Sequence, residues 1–467
     1  METLPHLSIT LRPSMDASYH FQFCDVKMEL ETPELVAGMT LASLWKMVAG
    51  VPRCPLGPDG VSACDAAGAL PLREATEPSM GFEKTAWQTV RATRGNVVLS
   101  YRFFPRDVSG IDRCYPIFDT IVEENGALIC GVTSLVTVPE KEYRISLRWD
   151  CTLLPEGADV TAIKGNGDCE FVGKPNDYAF SLYLVGKIQC ATDESGKYRV
   201  LWLSDCLPDA DRVCAQVPTL LREMCRFFRD EDLHYSIFFR KEPFSVSNSG
   251  TAFDGGFAYG FSDAMPLRMD EALNTLAHEI VHNWPQLENL QGESSWYMEG
   301  TAEYYSVMVP LRSGIVDEKQ AAEWLTQKSV NYYNNRFQHL SNEEAYAKAW
   351  ENHEIQRVPY GRGLFYLAHV DVCLRHASHG GKCLDDLVLE LDLRRRSGET
   401  VRVSDWLQLI ERELDKEAVD EFREIMSGRK MLSPDPEWFD GAFAWKCGDY
   451  QNIKQGNIEN ALIWYKK

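Results

Sequence analysis

The sequence predicts the α+β fold class, with a strand-rich N-terminal half followed by a mixed segment and then helices. Three observations predict it. The first is a set of segments rich in β-branched and aromatic residues, in part alternating with polar ones: 97–104, 143–149 and 198–203. The second is a change of character near Pro208, after which residues 209–230 place apolar side chains at Val213, Val217, Leu220, Leu221, Met224 and Phe228, a helical spacing in which Pro218 can introduce a kink. The third is the dominance of helical patterning from Asp270 onward. The strands suggest a sandwich-like β domain over 1–205, with a long Gly- and Pro-rich loop from Val51 to Gly81. A strand over 234–239 precedes helices over 270–284, 295–309, 318–329, 360–377, 384–395 and 404–426. The domain division that follows is 1–205, 206–375 and a C-terminal helical region over 376–467, whose last residues, from Trp438, are expected to form a short tail packed on the helices.

Composition sets the class of partner. The chain has 467 residues, 45% hydrophobic and 25% charged, the proportions of an ordinary globular protein. A formal charge of -21 repels phosphate backbones, so no nucleic-acid partner is expected. No basic stretch followed by an apolar core opens the chain, and no apolar run reaches the roughly 20 residues that span a bilayer. Fourteen cysteines at irregular spacing, without a C-x-x-C pair, read as reduced thiols. A cytoplasmic location and no membrane partner are the resulting expectations.

His278-Glu279-Ile280-Val281-His282 is an H-E-x-x-H motif. Residues four apart on a helix share a face, so two imidazoles can converge on one zinc ion while the glutamate between them serves as general base. Asp270 can cap this helix, Leu273, Leu276, Ala277, Ile280 and Val281 give it an apolar side, and Pro285 follows its end. A peptidase zinc takes a third protein ligand and leaves a fourth position open. Glu299 and Glu303, again four apart, supply a candidate ligand and a candidate acceptor behind a ligand histidine; the plainer reading of Glu303 is a solvated helix carboxylate.

These residues resemble a known family. His278-Glu279-x-x-His282-Asn283-Trp284 followed by Trp296-x-x-Glu299-Gly300-x-x-x-Tyr304-Tyr305 is similar to the glycyl aminopeptidase-like gluzincin zinc metallopeptidases, and more distantly to alanyl aminopeptidases and leukotriene A4 hydrolase. The likeness runs over about residues 275–390, through Pro359-Tyr360-Gly361-Arg362-Gly363 and Leu384-Asp385-Asp386-Leu387. It implies a thermolysin-like zinc catalytic domain over 206–375 and one Zn2+ held by His278, His282 and Glu299. It also implies Glu279 as general base, a peptide substrate, and Tyr360 as the phenol that steadies the oxyanion. Tyr366, at mid-helix, reads as core. The family grips the substrate amine with a glutamate that ends a glycine-led motif. Gly255-Gly256-Phe257-Ala258-Tyr259 is expected to be the matching substrate-binding stretch, with Ala258 in the glutamate's place, so altered recognition of the N-terminus is expected. Many members continue into a PDZ domain, for which too few residues remain after about 430. Hydrolysis of a non-peptide substrate and a catalytically silent zinc scaffold are the alternatives; the general base at Glu279 speaks against the scaffold.

Other features point to no chemistry. His353-Glu354 lacks a second histidine, since Arg357 stands in its place. His369, His376 and His379 read as imidazoles near a helix C-terminus, and Arg394-Arg395-Arg396 as a solvated helix end. Phosphate-loop and G-x-S-x-G signatures are lacking.

Overall fold

The computed structural model describes residues 4–79, 82–111, 116–203, 207–244, 249–289, 292–349, 351–452 and 456–467. The chain forms two compact units: Met1–Pro218 with Leu233–Met269, and Thr219–Asp232 with Asp270–Lys467.

The first unit is built from sheets. Strand His6–Met15 alternates buried and half-buried residues along its whole length, the period-2 pattern of a strand with one face on a core. It pairs antiparallel with Phe21–Leu30, the central strand of a seven-stranded sheet, and parallel with Tyr143–Trp149. A three-stranded sheet (Thr40–Trp45, Phe82–Thr89, Leu72–Ser79) and a five-stranded one around Gly126–Cys130 and Leu182–Gly186 share its core, which runs from Leu7 and Ile9 through Leu44 and Trp87 to Ile129 and Tyr183. The expected strands at 97–104, 143–149 and 198–203 are present as Val97–Phe103, Tyr143–Trp149 and Tyr198–Trp202. The expected loop over 51–81 is not a loop. It contains the strands Ser62–Asp65 and Leu72–Ser79, the latter an edge strand with no fully buried position, whose apolar partner residues Ala86 and Trp87 lie on the neighbouring strand. A strand whose hydrophobic signal sits on its neighbour carries no alternation of its own.

A second five-stranded sheet runs in the order Gln189–Thr192, Tyr198–Trp202, Tyr235–Lys241, Gly256–Phe261, Ser249–Phe253. Its three middle strands are parallel, and helix Ala210–Phe227, with Pro218 inside it, connects the first two of them. Both edge strands, Gln189–Thr192 and Ser249–Phe253, pair antiparallel. The sheet is therefore mixed.

The second unit is helical, with a terminal β-hairpin. Its long helices are Met269–Val281, Ser295–Arg312, Glu318–Tyr333, Val358–Ala377 and Leu384–Arg396. The Ser295–Arg312 helix is buried on nearly every side, and Trp296, Tyr297, Tyr366, Trp406 and Phe422 pack edge to face around it. The expected helix 404–426 is two helices, Val403–Glu413 and Lys416–Met426. Leu414 leaves helical geometry, and the Asp415 carboxylate caps the second by accepting from the Ala418 amide. The expected tail is a hairpin, Phe443–Asn452 with Gly456–Lys466, docked on the Glu318–Tyr333 helix. There the Trp464 backbone N–H donates to Thr326 Oγ1 at 2.9 Å and its indole N–H to Ser329 Oγ at 2.7 Å. Among the described residues no helix is long and apolar enough to cross a membrane.

Candidate metal centre

Five residues from three helices meet in the second unit. His278 lies in the last turn of Met269–Val281, and His282 directly follows that helix. Their Nε2 atoms stand 3.2 Å apart. Glu299, from the next helix, brings Oε2 to 3.3 Å from His278 Nε2 and 3.5 Å from His282 Nε2. Three ligand atoms on one ion at tetrahedral angles, with bonds of about 2.0–2.1 Å, are separated by about 3.3–3.4 Å. The observed triangle has that size. Glu299 Oε2 is closed to solvent and, apart from the two imidazoles, has no hydrogen-bond partner, the condition of an acceptor whose partner is a cation. The residues thus fit zinc, and among the described residues this is the one cluster of three such side chains that could hold a metal.

The charges are arranged to match. Burial works to raise the Glu299 pKa, but His282 and His278 outweigh it and hold the carboxyl down at about 2. Burial works to lower His278, yet the carboxylates of Glu299 and Glu303 hold it up at about 9 in the metal-free protein. Glu303 is not solvated. It is 6% exposed, and its Oε1 lies 3.2 Å from His278 Nδ1. Its other oxygen forms an ion pair with Lys328, from the Glu318–Tyr333 helix. Nothing in the sequence spacing pointed to Lys328, because a lysine on a helix reads as solvent-facing until the tertiary neighbour is known.

Tyr360 stands in the first turn of Val358–Ala377. Its ring lies parallel to the His278 imidazole, at 2° with centroids 5.6 Å apart, and the Arg357 guanidinium sits 5.1 Å from the phenol centroid. The Gly-x-Gly after Tyr360 explains the placement. A methyl group at Gly363 would overlap the Trp296 carbonyl oxygen, and one at Gly300 would meet Gly363 Cα, so the two helices cross backbone to backbone beside the candidate ligand Glu299. Tyr366, as expected, is core: it is 2% exposed and accepts from Trp406 Nε1.

The end of the His-bearing helix is clamped from behind. Arg395 donates to the carbonyls of Asn283 and Trp284, both at 3.1 Å, and Arg396 donates to the Phe228 carbonyl at 2.7 Å; both pair with buried Asp392. The Trp284 indole stacks on Phe228 and donates to Asp230. Arg394-Arg395-Arg396 is thus not a solvated helix end, because two of its three guanidiniums satisfy orphan carbonyls at the end of a helix. His369 bonds Glu421 and His376 bonds Glu437, so these imidazoles diverge to separate partners.

The proposed substrate-binding stretch lies in the first unit. Gly256–Phe261 is an interior strand, paired on both sides: Ala258 faces Phe238 on one side and Thr251 on the other. Ala258 is 0% exposed in an apolar core with Phe238, Phe244 and Phe253. Gly256 is small because a Cβ there would come within 2.9 Å of Ile163 Cδ1 and of the Ser236 carbonyl, and Gly255 occupies a turn at φ +74°. These residues are fixed by packing and turn geometry. A sequence motif does not distinguish an interior strand from an edge, and the structure places Ala258 on an interior one.

No protein-family model matches the sequence, and a search of curated proteins finds no match either. Solved structures do match. An aminopeptidase N family protein from Idiomarina loihiensis superposes at a TM-score of 0.70 and 15% identity over 95% of this chain and 79% of that one. An M1 zinc metallopeptidase from Deinococcus radiodurans, solved as a mutant bound to a Tyr-Ser-Ala substrate, gives 0.54 at 16% identity, over 93% and 96%. The native leukotriene A4 hydrolase of Saccharomyces cerevisiae gives 0.52 at 12%, over 94% and 70%. The fold is that of the M1 zinc metallopeptidases. At these identities the likeness to the M1 structures is one of fold.

Proposed function

We propose that the protein is a zinc-dependent, aminopeptidase-like hydrolase of peptide bonds, with His278, His282 and Glu299 as ligands. The observation that carries this reading is the tetrahedral-sized triangle of His278 Nε2, His282 Nε2 and the buried Glu299 Oε2; Glu279 adjoins His278 on the Met269–Val281 helix. A bound zinc supplies Lewis acidity toward the scissile carbonyl and the attacking water. Glu279 takes the proton from that water and delivers it to the leaving amine nitrogen. The Tyr360 phenol donates to the oxygen on which charge develops, an interaction strongest in the transition state. Glu303 accepts from His278 Nδ1–H and so keeps the Nε2 lone pair directed at the metal position. Because Ala258 is core, grip on a substrate amine belongs to other residues, and altered recognition of the N-terminus is part of this reading.

The test is cleavage of a mixed peptide library, half with free and half with acetylated N-termini, read by mass spectrometry with Glu279→Gln as control. Loss of single N-terminal residues from free peptides is the expected outcome. Cuts within acetylated peptides would replace the aminopeptidase-like reading by an endopeptidase. Wild type showing no cleavage beyond Glu279→Gln, with zinc bound in both, would sink the peptidase assignment.

A further inference from the structure

We propose that Lys328 is a positioning residue for the metal centre, acting through Glu303; this rests on the zinc reading above. The two oxygens of Glu303 are divided between partners. One lies 3.2 Å from His278 Nδ1 and the other is held by the Lys328 ammonium. Both side chains are buried, at 8% exposure for the carboxylate and 7% for the ammonium, so solvent cannot substitute for either partner. Glu299 already brings one carboxylate to the centre, and a second, buried and without a counter-charge, would be an uncompensated anion. Lys328 supplies the counter-charge. It also anchors the second Glu303 oxygen on the side away from the imidazole, so the carboxylate cannot rotate to compete with Glu299 for the ion.

The lysine is itself held in place. Its neighbours Thr326 and Ser329 bond the terminal hairpin through Trp464, and Gln327 accepts from Asn452 Nδ2 at 2.9 Å. The ammonium is therefore delivered by a helix pinned by the hairpin through Thr326, Gln327 and Ser329.

The experiment measures zinc affinity by competition with a fluorescent chelator in full-length protein, with unfolding of the metal-free forms as a check on folding. Lys328→Met is expected to weaken zinc about 10–100-fold, the range for loss of a group behind a ligand histidine. Lys328→Arg, which keeps a cation, is expected to restore most of the affinity. Glu303→Gln leaves a neutral acceptor that needs no cation, so the double variant Lys328→Met/Glu303→Gln should bind zinc no more weakly than Glu303→Gln alone. Wild-type affinity in Lys328→Met, or losses that multiply in full in the double variant, would overturn the proposal. If Lys328→Met does not fold, Lys328→Gln takes its place in the same cycle. A wild-type protein that binds no zinc would instead refute the metal centre itself, a result distinct from either.

Discussion

His278 shows most clearly how one residue carries both sequence and tertiary information. Its position in H-E-x-x-H is legible because residues four apart share a helix face whatever the rest of the fold does. Glu299 and Glu303 are legible for the same reason. The consequence for pH comes from tertiary structure. In the metal-free protein the carboxylates of Glu299 and Glu303 hold His278 protonated up to about pH 9, so zinc must displace a proton at lower pH. The sign follows: a raised pKa favours the charged imidazole, which cannot ligate. Zinc affinity should rise up to about tenfold per pH unit from near neutrality and flatten above about pH 9. Competition titrations across that range check it; a flat profile between pH 7 and 9 would show that His278 is not protonated there. Lys328 and Ala258 were not legible, for opposite reasons. The lysine acquires its role from a neighbour 25 residues away in sequence. The burial of the alanine comes from packing of the sheet face against Phe238, Phe244 and Phe253, which the local sequence does not display.

At the scale of elements, the long amphipathic or buried helices were found within a few residues because their apolar spacing persists over several turns. Boundaries set by a single polar residue were missed, as where Asp415 starts a new helix inside an unbroken apolar pattern. Gly363 yields the sharpest prediction here. Because a Cβ would overlap the Trp296 carbonyl oxygen, Gly363→Ala must push apart the helix bearing Glu299 and the helix bearing Tyr360. A loss of about 1–3 kcal/mol in urea unfolding is expected, in the range for overpacking. The loss of kcat should exceed the loss of zinc affinity, because the tyrosine moves relative to the ligands. Unchanged stability in this variant would mean that the crossing is looser than its geometry indicates.

For the whole molecule, the fold class was readable from the order of strand-like and helix-like segments, whereas the hairpin at 443–466 was not, although Ala461-Leu462-Ile463-Trp464-Tyr465 is rich enough in apolar and aromatic residues to have signalled a strand. The charge of -21 acts at this scale too. A field of one sign draws cationic substrates at low ionic strength and fades as the screening length shortens from about 30 Å at 0.01 M to about 8 Å at 0.15 M. For a lysine-rich peptide kcat/KM should fall over that range, while for a neutral peptide of equal length it should hardly change. Equal salt dependence of the two would remove long-range attraction from the account.

The docking of Trp464 on the Lys328 helix also has a consequence for synthesis. The ribosome makes the three proposed ligands, the general base and the lysine well before it reaches the strand that bonds Thr326 and Ser329. At about 5–20 residues per second, on the order of ten seconds or more separate Lys328 from Trp464. A nascent chain in that interval holds every proposed ligand and lacks the strand that braces the Lys328 helix.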